Sequence, residues 1–156
     1  MPDLVTAART IRYDDLPASL HEPLGPTAWT AVTQDQVTRF ADLTHDHQWI
    51  HVDEERAKHG PFGTTIAHGY LTLSLVPSFL GQLLDVSEVS MAVNYGLEKV
   101  RFPAPVPVGS QVRAAAEIVG VNRRTRSTQV TLRVRLTADT TDRPVCVADV
   151  VILFVR

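Results

Sequence analysis

Residues 66–84 read IAHGYLTLSLVPSFLGQLL. The spacing predicts a long helix over about 67–84. Leu71, Leu75, Val76, Phe79, Leu80 and Leu83 go round nearly every side of it, and its polar positions Thr72, Ser74, Ser78 and Gln82 are small or neutral. A helix that is apolar all round is buried all round. Pro77 lacks the N–H that a helix interior uses, so a kink or break is expected near residue 76.

What buries this helix follows it in the chain. Val89–Phe102 reads as one strand, bent at Gly96. Pro103, Pro105, Pro107 and Gly109 mark a turn region. Val112, Ala114, Ala116 and Ile118 alternate with Arg113 and Glu117, and Val130, Leu132, Val134 and Leu136 alternate with Thr131, Arg133 and Arg135. That period of two is the signature of strands with one buried face. Arg101, Arg133 and Arg135 fall on strand faces turned to water or to a partner subunit. Val145–Val155 is apolar on both faces apart from Asp149. Helices followed by a run of antiparallel strands is an α+β arrangement, and a single sheet wrapped around the apolar helix is the simplest way to bury it.

Upstream, Trp29–Val32 reads as a strand. Thr33 to Gln36 fits a capping box, and Val37, Phe40 and Ala41 recur at helical spacing, so a helix over about 34–44 is expected. Residues 45–52 read as a loop. A short helix follows, with Asp53 as N-cap, Glu54 and Glu55 in its first turn and Gly60-Pro61 at its end.

The bulk numbers bound the function. At 156 residues with 44% apolar content, the chain is expected to be one domain, 1–156, with a real core. A net charge of -2 gives no global pull toward nucleic acid or an anionic membrane. The start, MPDLVTAARTIRYDD, lacks an apolar stretch of signal-peptide type, and no apolar run approaches the roughly 20 residues of a membrane span, so a cytoplasmic protein is expected. Cys146, the single cysteine, excludes an internal disulfide and Cys-pair zinc sites. Between two valines it reads as an inert core thiol.

Chemistry concentrates in Thr44–Gly69, THDHQWIHVDEERAKHGPFGTTIAHG, which holds five of the six histidines. Asp46 precedes His51 by five residues, and His68-Gly69 opens the apolar helix. A carboxylate, an imidazole and a helix N-terminus within one span are what acid–base chemistry on a polarised carbonyl requires. Taken singly, Asp46 also fits a turn or cap residue, and His51 a hydrogen-bonded, half-buried histidine. His45, His47 and His51 have spacings that ligate zinc on a regular element, but no His-Glu-x-x-His pattern is present. Ser74 and Ser78 sit among core positions with no Gly-x-Ser-x-Gly elbow. His21 and His59 read as surface residues.

The run from Phe40 to Asp53, FADLTHDHQWIHVD, resembles the hydratase-2 motif of MaoC-like dehydratases, the (R)-specific enoyl-CoA hydratases. Asp46 and His51 fall on its catalytic Asp and His at the same spacing. Ile66-Ala67-His68-Gly69 resembles the family's Ala-His-Gly entry to the central helix, and Arg101 to Val106, RFPAPV, its Arg-Phe-x-x-Pro-Val strand and turn. Three positions depart: the family's Gly before the Asp is His45 here, its Asn is Gln48 and its Pro is Trp49. This variant is similar to the subgroup of nodulation protein N.

The resemblance implies a hotdog fold, an antiparallel sheet around a long central helix, usually dimerised. It implies a hydro-lyase of fatty acid metabolism that hydrates trans-2-enoyl-CoA to (R)-3-hydroxyacyl-CoA, reversibly, with no metal and no cofactor beyond the thioester substrate on CoA or acyl carrier protein. Asp46 and His51 would handle the water, and the Gly69 N–H would hold the thioester oxygen. His68 would orient the loop or donate a second hydrogen bond, and Gln48 would position Asp46 or substrate. Asn94 and Tyr95, at the bend of the first long strand, read as acyl-tunnel lining or as dimer seam. Arg123 and Arg124 read as a solvated hairpin or as a grip on the CoA phosphates. A homodimer is expected, the all-apolar last strand being one reason for it. The competing functions are a non-catalytic acyl-thioester binding module, since hotdog proteins also serve as such, and an acyl-CoA thioesterase.

Overall fold

The computed structural model describes residues 8–156; the signal-peptide reading rests in part on residues 1–7, which lie outside them. In chain order the elements are β1 (Arg9–Arg12), a 3-10 turn (Tyr13–Ser19), β2 (Pro23–Leu24), β3 (Thr30–Ala31), α1 (Gln34–Thr44), α2 (Trp49–Val52), α3 (Glu54–Lys58), α4 (Gly69–Ser74), α5 (Val76–Leu83), β4 (Leu84–Ser87), β5 (Met91–Arg101), β6 (Gln111–Arg123), β7 (Ser127–Ala138) and β8 (Pro144–Val155).

The main sheet runs β2-β6-β7-β8-β5, antiparallel throughout, with β3 also on β6. Strict alternation along β6 and β7 turns Val112, Ala114, Ile118, Val130, Leu132, Val134 and Leu136 inward, and they close over Val76, Phe79, Leu80 and Leu83 of the helix. This is the hotdog fold that the motifs imply. The sequence gives no hint of the parallel pair β1–β4, which covers the exit of α5 with Ile11 and Val86.

The helix breaks where Pro77 leads one to expect, and it differs from its expected form in its start and in its burial. It begins at Gly69, because the Ala67 N–H is donated to Val106 O at 2.8 Å and His68 is an extended N-cap. It breaks at Leu75, and Pro77 sits in the first turn of the restarted α5, where a missing N–H removes no intrahelical bond. It is not buried all round. Tyr70 is exposed, Leu71, Leu73 and Leu75 are half-buried, and Ser74 and Ser78 face outward rather than into the core. The open side lies along β5.

Strand β8 is central, between β7 and β5. Its two apolar faces are therefore explained inside one chain and do not argue for a dimer. The sheet edge is β5, every residue of which but Val100 is exposed. Its register shifts between Asn94 and Gly96 and again between Leu97 and Lys99, so Tyr95 and Glu98 are bulge residues and the expected bend at Gly96 is present. Cys146 is buried, and burial pushes its thiol up to about 11, as befits an inert core group.

Candidate active site

Helix α1 starts as its sequence specifies. Thr33 Oγ1 accepts from the Gln36 N–H at 3.3 Å, and Gln36 Oε1 accepts from the Thr33 N–H at 2.9 Å. The helix ends on His45, whose φ of 59° is left-handed. This is why the family motif has glycine there: a side chain at such a φ costs about 1–2 kcal/mol. Residues 45–52 are not all loop, for Trp49–Val52 make one helical turn, with the His51 N–H donated to Gln48 O at 2.9 Å. That turn delivers the His51 ring to the interior, and Asp53, capping α3 through the Arg56 N–H, takes the chain out again.

His51 and His68 are both buried, and their rings stack with centroids 3.8 Å apart. Each is tied to a main-chain carbonyl. His51 Nδ1 lies 2.7 Å from Ile66 O, and His68 Nε2 lies 2.9 Å from Asp46 O. A carbonyl only accepts, so the proton in each case is on the ring nitrogen that faces it. In the neutral rings this leaves the lone pair on His51 Nε2 and on His68 Nδ1. The His68 Nδ1 atom is buried without a hydrogen-bond partner among the described residues. Burial is the largest influence on His51 and holds its pKa below the ordinary 6.5. The Ile66 carbonyl and Asp46 oppose that shift, and His68 adds to it.

Asp46 is exposed. One carboxylate oxygen of Asp46 and one nitrogen of each of His51 and His68 lie within 4.8 Å of one another. Among the described residues these three are the ones that could take a cation. His47 is engaged elsewhere, with Nε2 2.8 Å from Asp42.

Beside His51 opens a cavity of about 340 Å³, lined also by Phe62, Gly69, Thr72, Phe102 and Val106. Gly69 begins α4, and the N–H groups of a first helical turn have no partner inside the helix. A side chain there would collide, since a Cβ on Gly69 would lie 2.9–3.1 Å from the Phe102 ring. His51, Gly69 and the Phe102–Val106 turn line this cavity, and Asp46 and His68 adjoin it through their closeness to His51. Gln48 is exposed at the head of α2, where its carbonyl holds the His51 N–H.

Two pairs of expected site residues are not brought to this cavity. Asn94 and Tyr95 line a separate groove of about 230 Å³ between β5 and Leu73, Pro77 and Leu80. Arg123 and Arg124 flank the β6–β7 hairpin, whose other end, Ser127, is in register with Val155 and so with Met91. The cavity lies past Arg101, ten residues further along β5, about 30 Å at strand rise. Arg123 is bound to Asp14 and Arg124 to Gln129.

Other contributors carry no mark in the sequence. Gln34 donates to His51 O at 2.8 Å and accepts from Thr65 Oγ1 at 2.6 Å, fastening α2 to α1. The Phe40 ring lies against His68 at 5.1 Å. The helical period signals that Phe40 faces inward, but not that it faces a histidine.

A model of the MaoC like domain matches residues 15–140. The chain belongs to the MaoC-like dehydratase family. This MaoC-like dehydratase is a hydro-lyase, and it is similar over most of its length to a curated enzyme. The 3-hydroxyacyl-thioester dehydratase Z of Mycobacterium tuberculosis (strain ATCC 25618 / H37Rv) is 51% identical over 142 residues, 90% of this chain and 94% of that one. Nodulation protein N of Rhizobium leguminosarum bv. viciae is 48% identical over 101 residues, 64% of this chain and 63% of its own, which agrees with the subgroup indicated by the motif variant. Among solved structures, the monoamine oxidase regulatory protein from Archaeoglobus fulgius superposes with a TM-score of 0.76 at 30% identity, covering 97% of this chain and 99% of that one. No helix among the described residues is long and apolar enough to cross a membrane.

Proposed function

We propose that this MaoC-like dehydratase interconverts a trans-2-enoyl thioester and the (R)-3-hydroxyacyl thioester, with Asp46 and His51 handling the water. The observation that carries this is the His51 tautomer. Its Nδ1–H is held by Ile66 O, which leaves a basic Nε2 in a buried ring at the wall of a cavity that Gly69 also lines.

In the hydration direction, water lies between Asp46 and His51. Its oxygen bonds to C3 as one of its protons passes to that pair. The π electrons of the double bond move onto the thioester oxygen, and the enolate so formed accepts a hydrogen bond from the Gly69 N–H. The enolate collapses by taking a proton at C2 from the same pair, which returns to its starting state. His68 keeps the Asp46 loop over this point through its bond to Asp46 O, and no cofactor is needed.

The direct test is loss of the enoyl absorbance of crotonyl-CoA, with the product resolved by chiral chromatography. An (S) product would remove the stereochemical assignment. Release of free thiol without hydration would replace the whole reading by a thioesterase.

The pH profile follows from the burial of His51. A base must be unprotonated to act, and this ring stays neutral further into acid than ordinary imidazole because its pKa is lowered from 6.5. The acid limb of kcat/KM, which reports the free enzyme, is therefore expected to lie below pH 6.5. A limb centred above 6.5 would contradict a buried neutral base.

The working unit in this reading is a homodimer joined at β5. That strand is a sheet edge with Met91 55%, Val93 40%, Tyr95 59% and Leu97 48% exposed, and an apolar edge left open is a template for a further strand. Sedimentation should find a dimer, and the double change Val93→Lys and Leu97→Lys should give monomers. A native monomer at micromolar concentration would count against β5 as a seam.

A further inference from the structure

The outer face of the sheet, away from the helix, carries most of its charge in adjacent rows. Lys99, Asp149, Arg133 and Glu117 are in register across β5, β8, β7 and β6, and the next row is Arg101, Val147, Arg135 and Ala115. One further step along, Arg113 stands opposite Thr137, with its guanidinium 4.3 Å over the Trp29 ring. That these side chains point outward follows from their neighbours Ala114, Val134, Leu136 and Ala148, which are buried on the helix side.

Two of these charges neutralise each other. Asp149 receives both Nε and Nη2 of Arg133, at 2.8 and 3.0 Å, and Arg133 holds its carboxyl below the ordinary range. Among the described residues of these two rows, Glu117 is then the one acid left against Lys99, Arg101 and Arg135. The chain as a whole carries -2, so a basic face is a local concentration and not a property of the composition.

Its position matters as much as its sign. Arg101 immediately precedes Phe102, the first of the five consecutive residues that wall the cavity beside His51. Two strand spacings, about 10 Å, take the basic face from Arg101 to Arg135. Beside Arg135 the surface dips into a hollow of about 190 Å³ floored by Ala115 and Ala116. A cation-lined face that starts at the rim of a thioester site suits a partner that is itself acidic and delivers its acyl group on a long arm. Complementary charge there raises the rate of encounter and selects the partner.

We propose that an acidic acyl carrier protein docks on the face formed by Lys99, Arg101 and Arg135 and passes its pantetheine-linked acyl thioester past Phe102 into the cavity. The proposal rests on the dehydratase reading and specifies the form in which the substrate arrives.

The test compares the crotonyl thioester of a bacterial acyl carrier protein with crotonyl-CoA, on the native enzyme, on Arg135→Glu and on Lys99→Glu/Arg135→Glu. The variants should raise KM for the carrier substrate by roughly tenfold or more and leave kcat and KM for the CoA substrate within about twofold, which also shows that they fold. The carrier reaction should slow with added salt and the CoA reaction much less. Equal losses on both substrates would mean that the face grips CoA phosphates, and no change on either would mean that it is only solvated; both overturn the docking. Calorimetry with the holo carrier protein separates the two readings. Binding that Arg135→Glu abolishes, without turnover of either thioester, supports the docking and sinks the reaction. Turnover of crotonyl-CoA with no carrier binding at low salt does the reverse.

Discussion

His51→Ala and Asp46→Asn are each expected to lower kcat for crotonyl-CoA hydration by about 10²- to 10⁴-fold, and the double variant to be little worse than the poorer single one. The two residues act on one water molecule, and groups that act as a unit are not additive. His51→Ala removes, among the described residues, the one ring nitrogen at the cavity wall whose lone pair is left available by the tautomer. Asp46→Asn preserves shape and takes away the negative charge that helps His51 hold a proton. It leaves the main-chain bond between Asp46 O and His68 untouched, so the loop should keep its place. Turnover unchanged in both variants would refute the assignment. Losses that multiply in the double variant would mean that the two residues serve separate steps.

Phe79→Ala should cost about 3–5 kcal/mol of folding stability, the range for emptying a fully buried aromatic position. Phe79 is 1% exposed, in the centre of α5, and belongs to the same core as Val112, Ile118, Leu132 and Leu136 on β6 and β7. The sheet strands are fixed to one another by their ladders, so little can collapse into the space. Leu43→Ala, at a residue 79% exposed on α1, should change stability by less than about 0.5 kcal/mol. Urea unfolding of both variants measures the difference through the midpoint at constant slope. Equal effects would show that α5 is not the element around which the sheet closes.

Much of the fold was legible because its cause is local or periodic. The capping box at Thr33, the alternation along β6 and β7, and the apolar content of 66–84 each follow from the spacing of side chains along one segment. The departures occur where a segment's state depends on a partner distant in sequence. Ala67 and His68 leave the helix because Val106, in another part of the chain, takes the Ala67 N–H. The last strand looked like an interface and is a sheet centre, since an apolar pattern records burial without saying what does the burying. The parallel pairing of Arg9–Arg12 with Leu84–Ser87 joins two ends of the fold that no periodicity connects.

The same division holds at the site. The spacing of Asp46, His51 and His68-Gly69 named the residues that meet. Only the tertiary structure decided which nitrogen of each histidine is available, because that depends on the Ile66 and Asp46 carbonyls and hence on backbone placement rather than residue type. It also separated Asn94 and Tyr95, and Arg123 and Arg124, from the cavity, and it gathered Lys99, Arg101 and Arg135 from two strands into one face. Sequence order determines what each segment prefers on its own, whereas the register between strands, set by turns and by the packing of α5, determines which charges become neighbours.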